Sequence, residues 1–240
     1  MRKYDIVYIL KANARNDELR YSLRSVVKNM EYRKIWFYCG KPEDITPDCY
    51  VAHKQIGGSK WERVRSSLIE VCKNDDITKQ FWLFNDDFYV TQPMESAKNY
   101  HRGLLKDHIL DIERRHGGAS TGYTRQLRNC MTQLQDAGLT TLDYAIHIPM
   151  LVDRQKALET LMMFPRCPMF RSLYGNYAQI GGDYITDCKT VDPNKVIDKD
   201  APFFSTSNRS FAGEVQRQLA DMFPDACKYE DGYVLDNCSV

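Results

Sequence analysis

Phe81-Trp82-Leu83-Phe84-Asn85-Asp86-Asp87-Phe88-Tyr89-Val90 is the stretch on which the reading of this 240-residue chain turns. Its short aromatic run, bounded by polar sequence, predicts a buried strand. Two adjacent carboxylates at the end of such a strand are costly to bury unless a cation sits on them. A divalent metal carrying a phosphorylated ligand meets that need, because hard cations take one or two carboxylates plus substrate phosphates. The alternative is a strand-to-turn junction whose acids are solvated or cap a following helix.

Upstream, Asp5 to Leu10 (DIVYIL) predicts a first strand and Lys11 to Asn16 a loop. From Asp17, Leu19, Leu23, Val26, Val27 and Met30 recur at helical spacing, with Asn16 or Asp17 as the cap. Lys34 to Cys39 predicts a second strand, Cys49 to Ile56 a short third, and Trp61 to Cys72 a helix. Gly57-Gly58-Ser59 is expected to be a flexible loop, and with Lys60 it lacks the G-x-x-x-x-G-K-[ST] spacing of a phosphate loop. Alternating strands and helices imply a mainly parallel sheet covered on both faces. Ligands of such sheets bind beyond the carboxyl ends of the strands. The loop after the first strand and the Asn85-Asp86-Asp87 triplet both fall on that edge.

Downstream, Ser96 to Gly138 carries two helical patterns broken at Gly117-Gly118 and Gly122. We read residues 96–138 as a helical insertion, a lid or acceptor-side element, within a single domain over residues 1–240. His101, His108 and His116 are spaced by seven and eight residues, which suits one helix face; a metal or a surface role follows from that spacing. The basic residues of this segment, Arg102, Lys106, Arg114, Arg115, Arg125 and Arg128, either meet an anionic acceptor or form a solvated face balanced by Asp107, Asp111 and Glu113. Leu142 to Val152 predicts an apolar strand with His147 at its middle, and Arg154 to Phe164 a helix. Phe170 to Gly182 is Tyr- and Gly-rich and leads to Asp183; Phe203 to Asn208 predicts a short strand and polar turn, and Ser210 to Phe223 a closing helix.

The bulk composition narrows the partners. Lys plus Arg number 33 against 32 for Asp plus Glu, so no global charge argues for nucleic acid or an anionic membrane. No apolar run approaches the ~20 residues of a membrane span. Asp5 interrupts the first apolar run and no small-residue cleavage site follows, so this run is expected to be a strand rather than a signal peptide. The eight cysteines show no C-x-x-C pair, which suggests a reducing, cytoplasmic setting.

The block Asn16-Asp17-Glu18-Leu19-Arg20-Tyr21-Ser22-Leu23-Arg24-Ser25 resembles a signature of the Stealth family, the sugar-phosphate transferases of capsule synthesis and lysosomal GlcNAc-1-phosphate tagging. Asp5-Ile6-Val7-Tyr8, Ile35 to Gly40, and Leu83 to Phe88 look like the family's flanking blocks, in order. His147-Ile148-Pro149 ahead of a helix is similar to a later block, with Phe170-Arg171-Ser172 after it. Small phage-encoded glycosyltransferases look similar over the same blocks and are closer in size. The chain departs from the family at Leu10-Lys11-Ala12-Asn13 and at Ser205-Thr206-Ser207-Asn208, which stands where the family carries an Asn-Asp-Asp block. Those departures leave room for ordinary glycosyl transfer.

The resemblance implies a GT-A-like sheet and a metal-dependent glycosyltransferase. The donor is a nucleotide sugar, a UDP-sugar first among them, and the acceptor a glycan, protein or modified DNA base. Mn2+ or Mg2+ is the implied cofactor, with Asp87 and then Asp86 as ligands and Asn85 on the ribose or holding the loop. Asn13, Arg15 and Asn16 follow the first strand, where the family binds the nucleotide. Arg20 and Arg24 lie one helical turn apart, and either grip phosphate or pair with Asp17, Glu18 or Asp87. Arg171 binds phosphate or an acceptor, or makes an ion pair. His147 is either a general base or a satisfied core residue, and Asp183 a second base or a turn residue. A Stealth-type sugar-1-phosphate transferase and an inactive sugar- or nucleic-acid-binding module are the competing readings. If the chain is phage-encoded, the host cytoplasm is its expected location.

Overall fold

The computed structural model describes residues 3–11 and 15–232. The first half of the chain runs β1 (Tyr4–Leu10), α1 (Asp17–Asn29), β2 (Tyr32–Cys39), β3 (Cys49–Val51), α2 (Lys60–Lys73), β4 (Gln80–Phe84), β5 (Phe88–Val90) and β6 (Tyr100–His101). There follow α3 (Leu105–Arg115), α4 (Gly122–Asp136), β7 (Met150–Asp153), α5 (Arg154–Met163), α6 (Phe170–Tyr177), β8 (Asp183–Tyr184), β9 (Phe203–Ser205) and α7 (Gly213–Met222). The central sheet has the order β3-β2-β1-β4-β7. Its first four strands are parallel and β7 pairs antiparallel with β4. The result is a mixed α/β fold with a mostly parallel sheet flanked by helices, consistent with the GT-A-like class.

The run DIVYIL is apolar on both faces because both faces of β1 are covered. Ile6, Tyr8 and Leu10 pack with Leu19, Leu23 and Val26 of α1. Val7 packs on the other face with Leu68 and Val71 of α2 and Ala157 and Leu161 of α5. Asp5 is fully buried, and its carboxylate accepts bonds from Arg33, the Trp36 indole and the Thr78 amide. A buried carboxylate held by a cation and two further donors is the form in which such a charge survives.

The FWLFNDDFYV stretch is two strands in different sheets, not one. The Phe88 amide donates to the Asn85 carbonyl at 3.3 Å, closing a turn over the polar triplet. The chain then leaves the central sheet, and β5 pairs antiparallel with β9. The other edge of β5 bonds to side chains of α1. Ser22 donates to the Phe88 carbonyl, Ser25 accepts from the Val90 amide, and Asn29 donates to the Val90 carbonyl. These polar residues on the buried face of α1 satisfy backbone groups that burial would otherwise leave unpaired.

The 96–138 segment holds two helices, as its periodicity implies. Leu105, Ile109, Leu127, Cys130 and Leu134 join Phe164 and Leu173 in a core of their own. The three histidines do not meet there: His101 lies on β6, His116 ends α3, and His108 is buried against Asp143 at 2.6 Å. The Leu142–Val152 stretch is a strand only over β7, so His147 precedes the sheet. No helix among the described residues is long and apolar enough to cross a membrane.

Glu230 ties the end of the described chain to α1. Its carboxylate accepts from Arg20 at 2.6 Å and from Arg24 at 2.7 Å, and also from the Cys227 amide. Burial works to raise the Glu230 pKa, but the bonds from Arg24, Cys227 and Arg20 outweigh it and hold it at about 2. A depressed carboxylate pKa stabilises the fold above the ordinary value of 4.5 and ceases to do so as pH falls through the folded value. Glu230→Gln is therefore expected to lower the unfolding free energy by about 3 kcal/mol at neutral pH. Urea titrations of the two proteins should converge as the pH drops from about 4.5 toward 2; an equal gap at both ends would contradict the ion pair.

Candidate active site

Because β1 and β4 are parallel neighbours, with Tyr8 opposite Phe84, their carboxyl ends open side by side. A cleft of about 820 Å3 lies there, within the range of small-molecule sites. Its floor carries Asn85, Asp86 and Asp87, and Lys11, Arg15, Asn16 and Glu18 line it on the β1 side. Lys60 and Arg63 from the first turn of α2, with Arg171, Lys189 and Asn208, complete its polar wall.

Asn16 joins the two loops. Its amide oxygen accepts from the Leu19 N–H and caps α1, while its amide nitrogen donates to Asp86 at 2.7 Å. Asp87 is held from the other side: Lys189 donates to its Oδ2 at 2.9 Å, and the Thr206 amide donates to its carbonyl at 3.3 Å. Its Oδ1 is shielded from water and has no partner among the described residues. A buried carboxylate oxygen left without a partner costs about 1–3 kcal/mol. Glu18 is the third acid here. Its pKa is raised by burial and by the charges of Asp86 and Asp87, against the opposing bond from the Thr206 hydroxyl.

Arg171 lies on α6 and reaches the same floor. It donates to the Ile148 carbonyl at 2.7 Å and stacks over the Phe88 ring at 5.1 Å. Burial pulls its pKa down to about 10, while Asp87 and Asp187 work against that fall. The guanidinium thus stays cationic at neutral pH, with backbone carbonyls rather than a carboxylate as its bonded partners.

His147 is neither a lone core histidine nor a lining residue of the cleft. Its Nδ1 lies 2.9 Å from Asp187, whose carboxylate also accepts the His147 backbone N–H at 3.1 Å. Its ring meets the edge of Phe88, the ring on which Arg171 stacks. Burial favours a higher Asp187 pKa, but His147 and Arg102 overcome it and keep the group below its ordinary value. Asp187 and Lys189 are two residues apart, so one short segment orients His147 and neutralises Asp87.

Of the residues expected from sequence, Arg15, Asn16, Asn85, Asp86, Asp87 and Arg171 come together in the cleft. Asn13 lies outside the described residues. Arg20 and Arg24 are committed to Glu230, with Asp44 also on Arg20, and do not line the cleft. Their one-turn spacing is real, but the face they share points at the end of the chain. Asp183 is exposed on β8, which pairs with β6, and is likewise absent from the lining. Lys60, Arg63, Asp187 and Lys189 are additions from the structure. The last two lie in a segment without periodicity, which the bridge of Lys189 to Ser205 of β9 and the bonds of Asp187 to His147 bring in.

The donor set fits a hard divalent cation. Asp86 and Asp87 are adjacent, and the Oδ1 of Asp87 is an oxygen that no group among the described residues uses. Among the described residues no three His, Cys, Asp or Glu side chains form a ready cage.

No protein-family model and no curated protein matches the chain. Among solved structures it is similar in part to the glycosyltransferase GlyE of Streptococcus pneumoniae TIGR4. That match has a TM-score of 0.29 and 11% identity over 53% of this chain and 42% of the other. For the apo form of GlyE the TM-score is 0.30 at 12% identity, over 56% and 44% of the two chains. The matched region therefore spans less than half the length of either GlyE chain.

Asn16→Ala removes both the helix cap and the Asp86 bond. It is expected to lower stability by about 1–2 kcal/mol in urea unfolding. A change within error would mean that the clamp between the two loops contributes nothing to the fold.

Proposed function

We propose that this chain is a glycosyltransferase that moves a sugar from a nucleotide-sugar donor to an acceptor hydroxyl. The observation that carries the reading is the buried Oδ1 of Asp87, without a partner among the described residues, beside Asp86 in a cleft with a cationic wall at the carboxyl edge of a mostly parallel sheet. The ordered blocks that resemble Stealth and phage-encoded transferases support it.

Asp86 and Asp87 would hold Mn2+ or Mg2+ together with phosphate oxygens of the donor. The bound ion would supply Lewis-acid stabilisation of the leaving phosphate and orient the donor. The protein's own residues do the rest. Asn16 fixes the Asp86 carboxylate. Lys189 and Arg171 keep positive charge beside Asp87, where a leaving diphosphate accumulates negative charge. Lys11, Arg15, Lys60 and Arg63 offer donors to the phosphates; Arg15, 72% exposed, is bonded among the described residues to Asp17 at the mouth of the cleft. Asp187 bonds the Nδ1 side of His147, whose ring lies against Phe88 outside the cleft lining and would steady the floor on which Arg171 stacks.

Thermal unfolding with UDP, GDP, ADP and CDP, each with and without Mn2+, tests the reading. At 100 times Kd a ligand adds about 2.7 kcal/mol, a Tm rise of about 5–10 °C for a chain of this size. One nucleoside diphosphate should give that rise with Mn2+, and Asp87→Asn should abolish the Mn2+-dependent part. No rise with any of them would sink the transferase reading. In turnover with a UDP-sugar, UDP as product marks glycosyl transfer, whereas UMP would mark sugar-1-phosphate transfer.

A further inference from the structure

A second hollow of about 360 Å3 opens off the cleft. The two share Lys60, Val64 and Leu68 of α2 and Pro168 and Phe170 at the start of α6. Beyond that common wall the annex is built of Trp61, Arg65, Gln126, Leu161, Phe164 and Leu173. Four helices thus enclose it: α2, α5, α6 and α4 of the helical insertion, with the α5–α6 connection between two of them.

The chemistry of the annex differs from that of the cleft. No Asp or Glu lines it, whereas Asp17, Glu18, Asp86 and Asp87 all line the cleft. Its charges are the cations of Lys60 and Arg65, and the Arg65 Nε is shielded from water without a partner among the described residues. Trp36 and Trp82 are buried in the core at 5% and 4% exposure, which leaves Trp61 as the accessible indole. An indole and phenyl rings with aliphatic walls and no negative charge suit a flat apolar group that is neutral or anionic.

None of Ile9, Lys11, Arg15, Asn16 or Gln55 borders the annex; these are the cleft residues at the end of β1 and after β1 and β3. A donor anchored by its diphosphate at Asp86 and Asp87 and gripped after β1 leaves the annex unfilled. We infer that the annex holds the acceptor, and that the acceptor carries a flat apolar ring, neutral or anionic, next to the hydroxyl that receives the sugar. This rests on the transferase reading of the cleft.

The probe is 8-anilinonaphthalene-1-sulfonate, an aryl anion, titrated by its own fluorescence into the folded protein with and without UDP and Mn2+. One site is expected, whose affinity UDP does not lower. Trp61→Ala should weaken it by about tenfold. Gln126→Trp, at an exposed position of α4, should block it without disturbing the core. Unchanged affinity in either variant would overturn the assignment. So would displacement of the probe by UMP, which would make the annex the pocket of the donor base. Failure of every nucleoside diphosphate to stabilise the protein sinks the transferase reading by itself, whereas an unaltered Trp61 variant sinks the annex even with donor binding intact.

Discussion

The backbone of β5 has to be satisfied on both edges, and the way this is done fixes the site. Buried amides and carbonyls without partners are rare because each costs about as much as a lost hydrogen bond. One edge of β5 is met by β9, the other by Ser22, Ser25 and Asn29 of α1. A helix thus stands where a sheet would place a strand. To reach it, the chain must turn out of the central sheet at once after Phe84, and Asn85, Asp86 and Asp87 make that turn at the sheet's carboxyl edge. The same α1 begins at Asn16, whose cap and whose bond to Asp86 share one amide. Through β9, Thr206 and Asn208 are delivered to the opposite side of the acids, with Thr206 bonded to both Glu18 and the Asp87 backbone.

That arrangement concentrates charge that the protein only partly neutralises. Glu18, Asp86 and Asp87 share the floor, and Asp87 receives a cation from Lys189 on one oxygen only. Arg171 contributes charge but spends its bonds on the carbonyls of Ile148 and Leu83. By contrast Asp5 and Glu230, both more deeply buried, have their acceptor oxygens engaged by Arg33, Arg20 and Arg24. At Asp87, half-buried on the cleft floor, one oxygen has no partner among the described residues. Perturbed and under-satisfied groups gathered in a cleft single it out as the candidate site.

Much of this was legible in the sequence because it depends on short-range periodicity. The two-faced apolar character of DIVYIL, the amphipathic run from Leu19 to Met30 with its Asn16 cap, and the aromatic strand before the acids each follow from local pattern, and together they locate the sheet edge. What escaped depends on pairing between distant segments. FWLFNDDFYV reads as one strand because both halves are apolar, and only the demands of β9 and α1 split it. Asp187 and Lys189 sit among loop residues with no period to reveal them. Arg20 and Arg24 lie on one face, as their spacing implies, but the partner on that face, Glu230, is more than two hundred residues away. Asp183 follows a Gly-Gly turn that leads to an edge of the molecule rather than to the cleft.

Asp86 and Asp87 are proposed to take a divalent cation together with a nucleoside diphosphate. Anomalous diffraction at the manganese edge, from crystals grown with Mn2+ and the diphosphate that stabilises the protein, tests it most directly. A single anomalous peak in contact with Asp87 Oδ1 and the diphosphate oxygens is the predicted result. A bound diphosphate held by Lys189 and Arg171, with no anomalous peak at the carboxylates, would contradict it.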